Sequence, residues 1–289
     1  MLRSMTGFGR SEGVVNDRKV TIEVRSLNSK QLDLLLKVPS LYKEHEAELR
    51  HWASERLVRG KVELVVTCER NQGRTRTSID RELLRSYFAE LRSIAADLAP
   101  DADTDLFAQA LRMPEVTQPP TEKLQEGEWQ QVLNLIHKAV DSFDGFRTSE
   151  GDRLRDELRS RVEHISALLS EVALLDPKRT ERTRERLRSK LAELQVQVDA
   201  DRFEQELVYY LEKLDVTEEK VRLSSHCTYF METLVADEQQ GRKLGFIAQE
   251  MGREINTLGS KANDATLQRL VVHMKDELEK IKEQVLNVL

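Results

Sequence analysis

"RKVTIEVRSLNSKQLDLLLKVP", Arg18 to Pro39, decides the fold. Val20, Ile22 and Val24 fall on one face, and Thr21, Glu23 and Arg25 on the other. Alternation with period two, carried by β-branched residues, is the pattern of a half-buried strand. "SLNSK" interrupts it, and "QLDLLLKVP" resumes an extended run up to Pro39. Ser40 then reads as the N-cap of a helix, "LYKEHEAELRHWASERLV", with Leu41, Leu49, Trp52, Ala53 and Leu57 at near-helical spacing. Gly60 marks a turn, and "RGKVELVVTCER" returns to a strand. The expected class is α+β: a mostly antiparallel N-terminal sheet with helices, followed by a long-helix C-terminal part.

Working outward, "GFGRSEG" (Gly7 to Gly13) has glycines but not the Lys-Ser/Thr of a phosphate loop, and reads as a turn of small residues. "NQGRTRT" (71–77) reads as a loop or hairpin tip, "SIDRELLRSYFAELRSIAADLA" as a helix and "LAPDADTD" as a linker. "RMPEVTQPPTEK" holds three of the six prolines and reads as an irregular crossing. From Glu128 onward helical periodicity dominates. Gly145 and Gly151 read as interruptions, and Pro177 in "LLDPKRT" as a break. The expected divisions are 1–155 (α+β), 156–200 (long connecting helices) and 201–289 (a helical domain with a charged cluster). Long polar-faced helices bury their apolar stripes against another chain, so a homo-oligomer is expected.

The 289 residues suffice for a sizeable core. No apolar run approaches the ~18 residues of a membrane span, so no membrane association is expected. "MLRSMTGFGRSEG" lacks the apolar stretch of a signal peptide. Cys68 and Cys227 form no close pair, which points to a reducing cytoplasm. A net charge of −6 excludes a wholly basic nucleic-acid binder but leaves room for local patches. "KRTERTRERLRSK" (Lys178 to Lys190) is one such patch; a solvated, salt-bridged helix is the plainer account of it.

The chemistry concentrates near the C-terminus. In "LDVTEEKVRLSSHCTYF", Asp215 and Glu218 are spaced as a capping box, so a helix begins near Val216. Glu219, Arg222 and His226 then share a flank at steps of three and four. In "GRKLGFIAQEMGREINTLGSK", Leu244, Ile247, Ala248, Met251, Ile255 and Leu258 form an apolar stripe. Glu250 and Glu254 edge the polar face, Arg253 and Thr257 lie beside Glu250, and Gln249 and Asn256 lie further round. Two carboxylates at i,i+4 can share Mg²⁺ or Mn²⁺, and His226 tilts the choice toward Mn²⁺. Arg222 or Arg253 can clamp a phosphate oxygen. A solvated charged face is the alternative.

Five stretches in order, "RSMTGFGR", "EVRSLNSKQLDL", "RGKVEL", "DVTEEKVRLSSH" and "GRKLGFIAQEMGREINTLGSKAND", span essentially the whole chain. Together they resemble the YicC/YloC family. The resemblance implies a cytoplasmic, bacterial, homo-hexameric endoribonuclease that needs a divalent cation, Mn²⁺ or Mg²⁺. It implies RNA as partner, with other RNA-decay proteins beside it, and a role in RNA turnover. Family positions map onto Arg3, Ser4, Met5, Thr6, Gly7, Arg25, Asn28, Arg59, Gly60 and Lys61, and then onto Glu218, Glu219, Arg222, His226, Gln249, Glu250, Arg253, Glu254, Asn256, Ser260 and Lys261. The chain departs from the pattern with Gly245 in place of the usual Asp and Gly252 in place of the usual Asn.

On this reading Glu250, Glu254 and Glu219 hold or position the metal. His226 is a ligand or general acid/base, and Glu219, Arg222 and Arg253 complete the catalytic set. Arg3, Arg25, Asn28, Arg59, Lys61 and Lys261 bind RNA. The rival is a non-catalytic RNA-binding scaffold that delivers RNA to another nuclease. A third reading is a purely structural oligomer whose charged stripes pair between subunits.

Overall fold

A computed structural model describes residues 2–70, 78–98, 105–118, 124–193, 199–236 and 240–289. The expected loop at 71–77 and most of "LAPDADTD" lie outside them. Strand β1 (Gly7–Val15) turns through Asn16 and Asp17, both at positive φ, into β2 (Arg18–Leu27). Two such residues between paired strands match the right-handed twist of the hairpin. β3 (Leu32–Lys37) leads through a 3₁₀ turn (Ser40–His45) and helix α1 (Glu46–Arg56) to β4 (Gly60–Arg70). The sheet order is β1-β2-β4-β3. β1–β2 and β2–β4 are antiparallel, but β3–β4 is parallel, because the interposed helix returns the chain to the starting end. Ser40 is not the N-cap of an α-helix. It opens the 3₁₀ turn, and its preceding Pro39 makes no side-chain cap. "GFGRSEG" is not a turn either; it forms most of β1.

Val20, Ile22 and Val24 point into the core, as their alternation predicts. They pack with Val62, Leu64 and Val66 of β4, with Leu49 and Ala53 of α1, and with helix α4 (Glu128–Glu193). The glycines of β1 let that helix lie on the strand. A Cβ at Gly9 would stand 2.2 Å from the Ala139 carbonyl oxygen. Between β4 and α4 the chain forms the two-residue strands β5 (Ser78–Ile79) and β6 (Thr117–Gln118) and helices α2 (Arg81–Leu98) and α3 (Leu106–Leu111). β6 falls in the expected irregular crossing.

α4 runs unbroken through Gly145, Gly151 and Pro177, correcting the three expected interruptions. Gly151 serves close approach: a Cβ there would lie 2.0 Å from the Leu2 carbonyl oxygen. Pro177 deprives the Ala173 carbonyl of its amide partner. The helix nonetheless continues, because Asp176 and Arg179 are buried and bonded on either side. Arg179 donates to Asp176 Oδ1 from Nε (3.0 Å) and Nη2 (2.7 Å), to the Leu214 carbonyl (2.8 Å) and to the Lys261 carbonyl (3.2 Å). Lys220 donates to Asp176 Oδ2 at 2.8 Å.

α5 (Ala200–Lys213), α6 (Thr217–Val235), α7 (Gly241–Lys261) and α8 (Ala265–Val285) complete the chain. Leu158, Val162 and Ile165 of α4 pack with Leu223 and Phe230 of α6, the α7 stripe, and Met274 and Ile281 of α8. α4 thus crosses position 155 as continuous helix and serves both cores. The chain ends sew the two together: Met5 N–H donates to Asn287 O (2.8 Å), Leu289 N–H to Arg3 O (2.9 Å) and Ser4 N–H to Arg147 O (3.0 Å). Among the described residues no helix is long and apolar enough to cross a membrane.

Candidate functional site

α6 begins where its sequence says. The Asp215 carboxylate accepts from Thr217 N–H (3.2 Å) and Thr217 Oγ1 (2.7 Å). Those hydrogen bonds hold its pKa below the ordinary value. Glu218 does not reach back as a capping box requires; it pairs forward with Arg222. α7 buries all six stripe residues. A buried side chain of this size contributes about 1.5–3 kcal/mol over an exposed one, so the stripe fixes which α7 residues face outward.

α6 and α7 run antiparallel, and their facing edges pair in sequence. Lys261 Nζ lies 2.7 Å from Glu219 Oε1. Arg222 Nη1 lies 3.9 Å from Glu254. Further along, His226 and Glu250 line one cavity of about 560 Å³ with Tyr229, Arg242, Lys243 and Phe246. Lys243 Nζ sits 4.8 Å from the centre of the Tyr229 ring. Phe246 is 62% exposed, too much for a core residue of its size. Arg253 Nη1 is 2.8 Å from Glu250 Oε1.

The expected metal carboxylates therefore sit along one edge, each beside a cation. Among the described residues no three His, Cys, Asp or Glu side chains converge on a common point. Glu219 Oε2 is buried without a hydrogen-bond partner. Glu254 is almost fully buried and Glu250 is half-buried.

Phe246 and Arg242 also border a second cleft of about 660 Å³, on the other side of α7. Here Asn28, Lys30 and Arg59 from the sheet meet Arg242 and Gln249 of α7 and Lys282 of α8. Among the described residues no acidic side chain lines it. Asn28 Nδ2 donates to Leu286 O at 2.6 Å and Arg59 Nε to Ser29 O at 3.0 Å, which fixes both at the rim. Lys282 reaches Glu279 at 2.7 Å. Lys30 and Arg242 have no ion-pair partner among the described residues.

Of the expected RNA-binding residues, the fold brings Asn28 and Arg59 together in this cleft. Arg3 and Lys61 are exposed outside it. Arg25 pairs with Glu23 at 2.7 Å and lies 5.6 Å from the centre of the Phe8 ring. Lys261 is engaged by Glu219. Asn256 and Ser260 face solvent. Gly245 lines the cleft, while Gly252 lets α8 close in, a Cβ there standing 3.2 Å from Leu278 Cδ2. Lys30, Tyr229, Arg242, Lys243, Phe246 and Lys282 escape the sequence reading. "GRKLGF" holds the local signal for three of these, Arg242, Lys243 and Phe246, as cations beside an aromatic, whereas Lys30, Tyr229 and Lys282 carry none.

A cleft whose charged lining residues are all cationic, beside a groove with exposed aromatic rings, has the charge and shape that suit a polyanion. The model of the endoribonuclease YicC-like N-terminal region matches residues 2–156, and that of the YicC-like C-terminal part matches 172–289. The chain is 30% identical, over the full length of both partners, to the probable endoribonuclease YicC of Clostridioides difficile strain 630 and to that of Haemophilus influenzae. It belongs to the YicC-like family.

Proposed function

We propose that this chain is an endoribonuclease that seats RNA across the ridge formed by the first half of α7. The observation that carries this is the grouping of His226, Glu250, Arg242, Lys243, Tyr229 and Phe246 around one cavity beside the cationic cleft. Arg59, Arg242, Lys30 and Lys282 attract phosphates, and Tyr229 and Phe246 offer faces for unstacked bases. Imidazole is the side chain suited to proton transfer near neutral pH, so His226 takes and returns the proton in phosphodiester cleavage. Arg222 and Arg253 supply charge-assisted hydrogen bonds to the phosphate. The names of the two relatives support RNA as the substrate.

Metal dependence is part of the proposal. Mg²⁺ and Mn²⁺ are commonly held by one or two carboxylates together with substrate phosphates. The half-buried Glu250, with Glu254 one turn on, fits that sparse donor set. Glu219 is a poorer candidate, since Lys261 neutralises one oxygen, although Oε2 is unpartnered. Such an ion, held by Glu250 and Glu254, would activate water for attack and offset phosphodiester charge. Cytoplasmic RNA turnover by a homo-hexamer completes the reading, and the two free cysteines are compatible with a reducing compartment.

One observation favours the second reading, a non-catalytic RNA-binding scaffold. Glu219, Glu250 and Glu254 each lie beside a cation, as structural carboxylates do. Cleavage of an end-labelled RNA with Mn²⁺, with Mg²⁺ and with EDTA, for the unsubstituted chain, Glu250→Ala and His226→Ala, tests the choice. Metal-dependent cutting lost in both variants supports the nuclease. Tight binding without cutting in any condition gives the scaffold.

A further inference from the structure

The part of α4 beyond Pro177 carries a row of charges that the proposed site does not use. Lys178, Arg182, Arg186 and Lys190 stand at successive i,i+4 positions, and all four are exposed. Four residues of helix rise about 6 Å, so the row repeats every ~6 Å over about 18 Å. The basic residues between them are committed elsewhere. Arg179 is buried on Asp176, Arg188 holds Glu204 at 2.6 Å, and Arg184 lies 3.9 Å from Glu181. The four row members have no ion-pair partner among the described residues. α5 packs against another side of this arm, where Phe203 and Leu207 share a cavity with Leu187.

Like charges at i,i+4 destabilise a helix. Glu181, Glu185 and Glu193, three residues after Lys178, Arg182 and Lys190, offset part of that repulsion but form no ion pair with the row among the described residues, so its cations are free to meet an anion with a matching repeat. The successive phosphates of an extended nucleic-acid strand supply such a repeat, and positively charged tracks that follow the backbone are how single strands are held without sequence preference. The row also starts at a telling place. Arg179, next to Lys178, donates to the Lys261 carbonyl, at the end of α7 where Lys261 meets Glu219. The cation row begins where the α6–α7 edge ends.

We infer that Lys178, Arg182, Arg186 and Lys190 form a guide ridge that binds the sugar-phosphate backbone of single-stranded RNA running to or from the α6–α7 groove. This rests on the proposed function and extends it. The contacts are to phosphates, so the ridge adds affinity without sequence preference.

The test uses the full chain with all four residues changed to Gln, its fold checked by circular dichroism. Binding of a long labelled oligouridine, and of a short one that fills only the groove, is followed over a salt series. Each phosphate contact on a single strand contributes about 0.7 to the slope of log affinity against log salt, so the long-strand slope falls by about 3 in the variant. The short-strand slope stays the same, and a variant with Arg182→Lys and Arg186→Lys keeps the full slope. If the quadruple variant misfolds, the pairs Lys178→Gln/Arg182→Gln and Arg186→Gln/Lys190→Gln each show about half the loss. A long-strand slope unchanged in a variant that still binds RNA overturns the ridge and leaves the proposed function standing. Unchanged RNA binding with altered assembly in sedimentation overturns it in favour of a protein contact. Failure of the unsubstituted chain to bind any oligouridine sinks the proposed function and the ridge together.

Discussion

Replacing Asp176 by Ala removes the carboxylate that pairs with both Arg179 and Lys220 where α4, α6 and the ends of α5 and α7 meet. Its Oδ1 accepts two hydrogen bonds from Arg179 and its Oδ2 one from Lys220. The Arg179 side chain is 6% exposed and that of Lys220 19%. Without the carboxylate, Arg179 keeps the carbonyl oxygens of Leu214 and Lys261 as acceptors but has no counter-charge. Lys220 can turn toward water. Removing one partner of a buried ion pair costs about 3–5 kcal/mol, and the surviving carbonyl contacts put this case at the lower end, about 3 kcal/mol. Asp176→Asn keeps one acceptor and should lose about half as much. The triple variant Asp176→Leu/Arg179→Met/Lys220→Met leaves no charge unpaired and should regain most of the loss. Urea unfolding followed by circular dichroism measures all three, with the slopes compared so that only stability is read. A loss below about 1 kcal/mol for Asp176→Ala would refute the reasoning, since this is less than one unmet charge-assisted hydrogen bond. A triple variant as unstable as the single would refute it too.

Other outcomes follow from the same geometry. Gly151→Val places a side chain where the Leu2 carbonyl lies, so the N-terminal segment must lift from α4. The expected loss is about 1–3 kcal/mol, with faster proteolysis before Thr6; an unchanged cleavage pattern would contradict it. Glu128 gives a pH prediction. Burial pushes its carboxyl up, but hydrogen bonds from Tyr42, the Gln125 N–H and Asn16, with the Arg18 charge, outweigh that and leave its pKa below the usual 4.5. A pKa lower in the folded state means a stabilising contribution complete above about pH 4.5 and lost as pH falls through the folded value. Glu128→Gln should therefore flatten the acid side of the stability–pH curve, measured by denaturation across the acid range; equal slopes for both chains would count against it.

Much of this was written in local pattern. Period-two alternation placed Val20, Ile22 and Val24 in the core, and the α7 stripe from Leu244 to Leu258 fixed which face of that helix is outward. Asp215 marked the start of α6. The same local rules failed where distant groups intervened. Pro177 reads as a helix end, yet Lys220 and the carbonyls of Leu214 and Lys261 hold Asp176 and Arg179 in one continuous helix. Gly151 reads as a weak point, yet it is the place where the Leu2 backbone must fit.

The sequence by itself therefore determined most of the strands and helices, the buried faces of β2 and α7 and the charged edge of α7, because backbone geometry fixes those periods within a few residues. Tertiary structure alone decided who meets whom. It set Lys261 on Glu219, 42 residues away, and closed a cleft from Lys30, Arg59, Arg242 and Lys282. Such pairings depend on how helices fold back and on the chain ends joining at Arg3 and Leu289. No spacing rule carries that information, because electrostatic partners are chosen by distance in space.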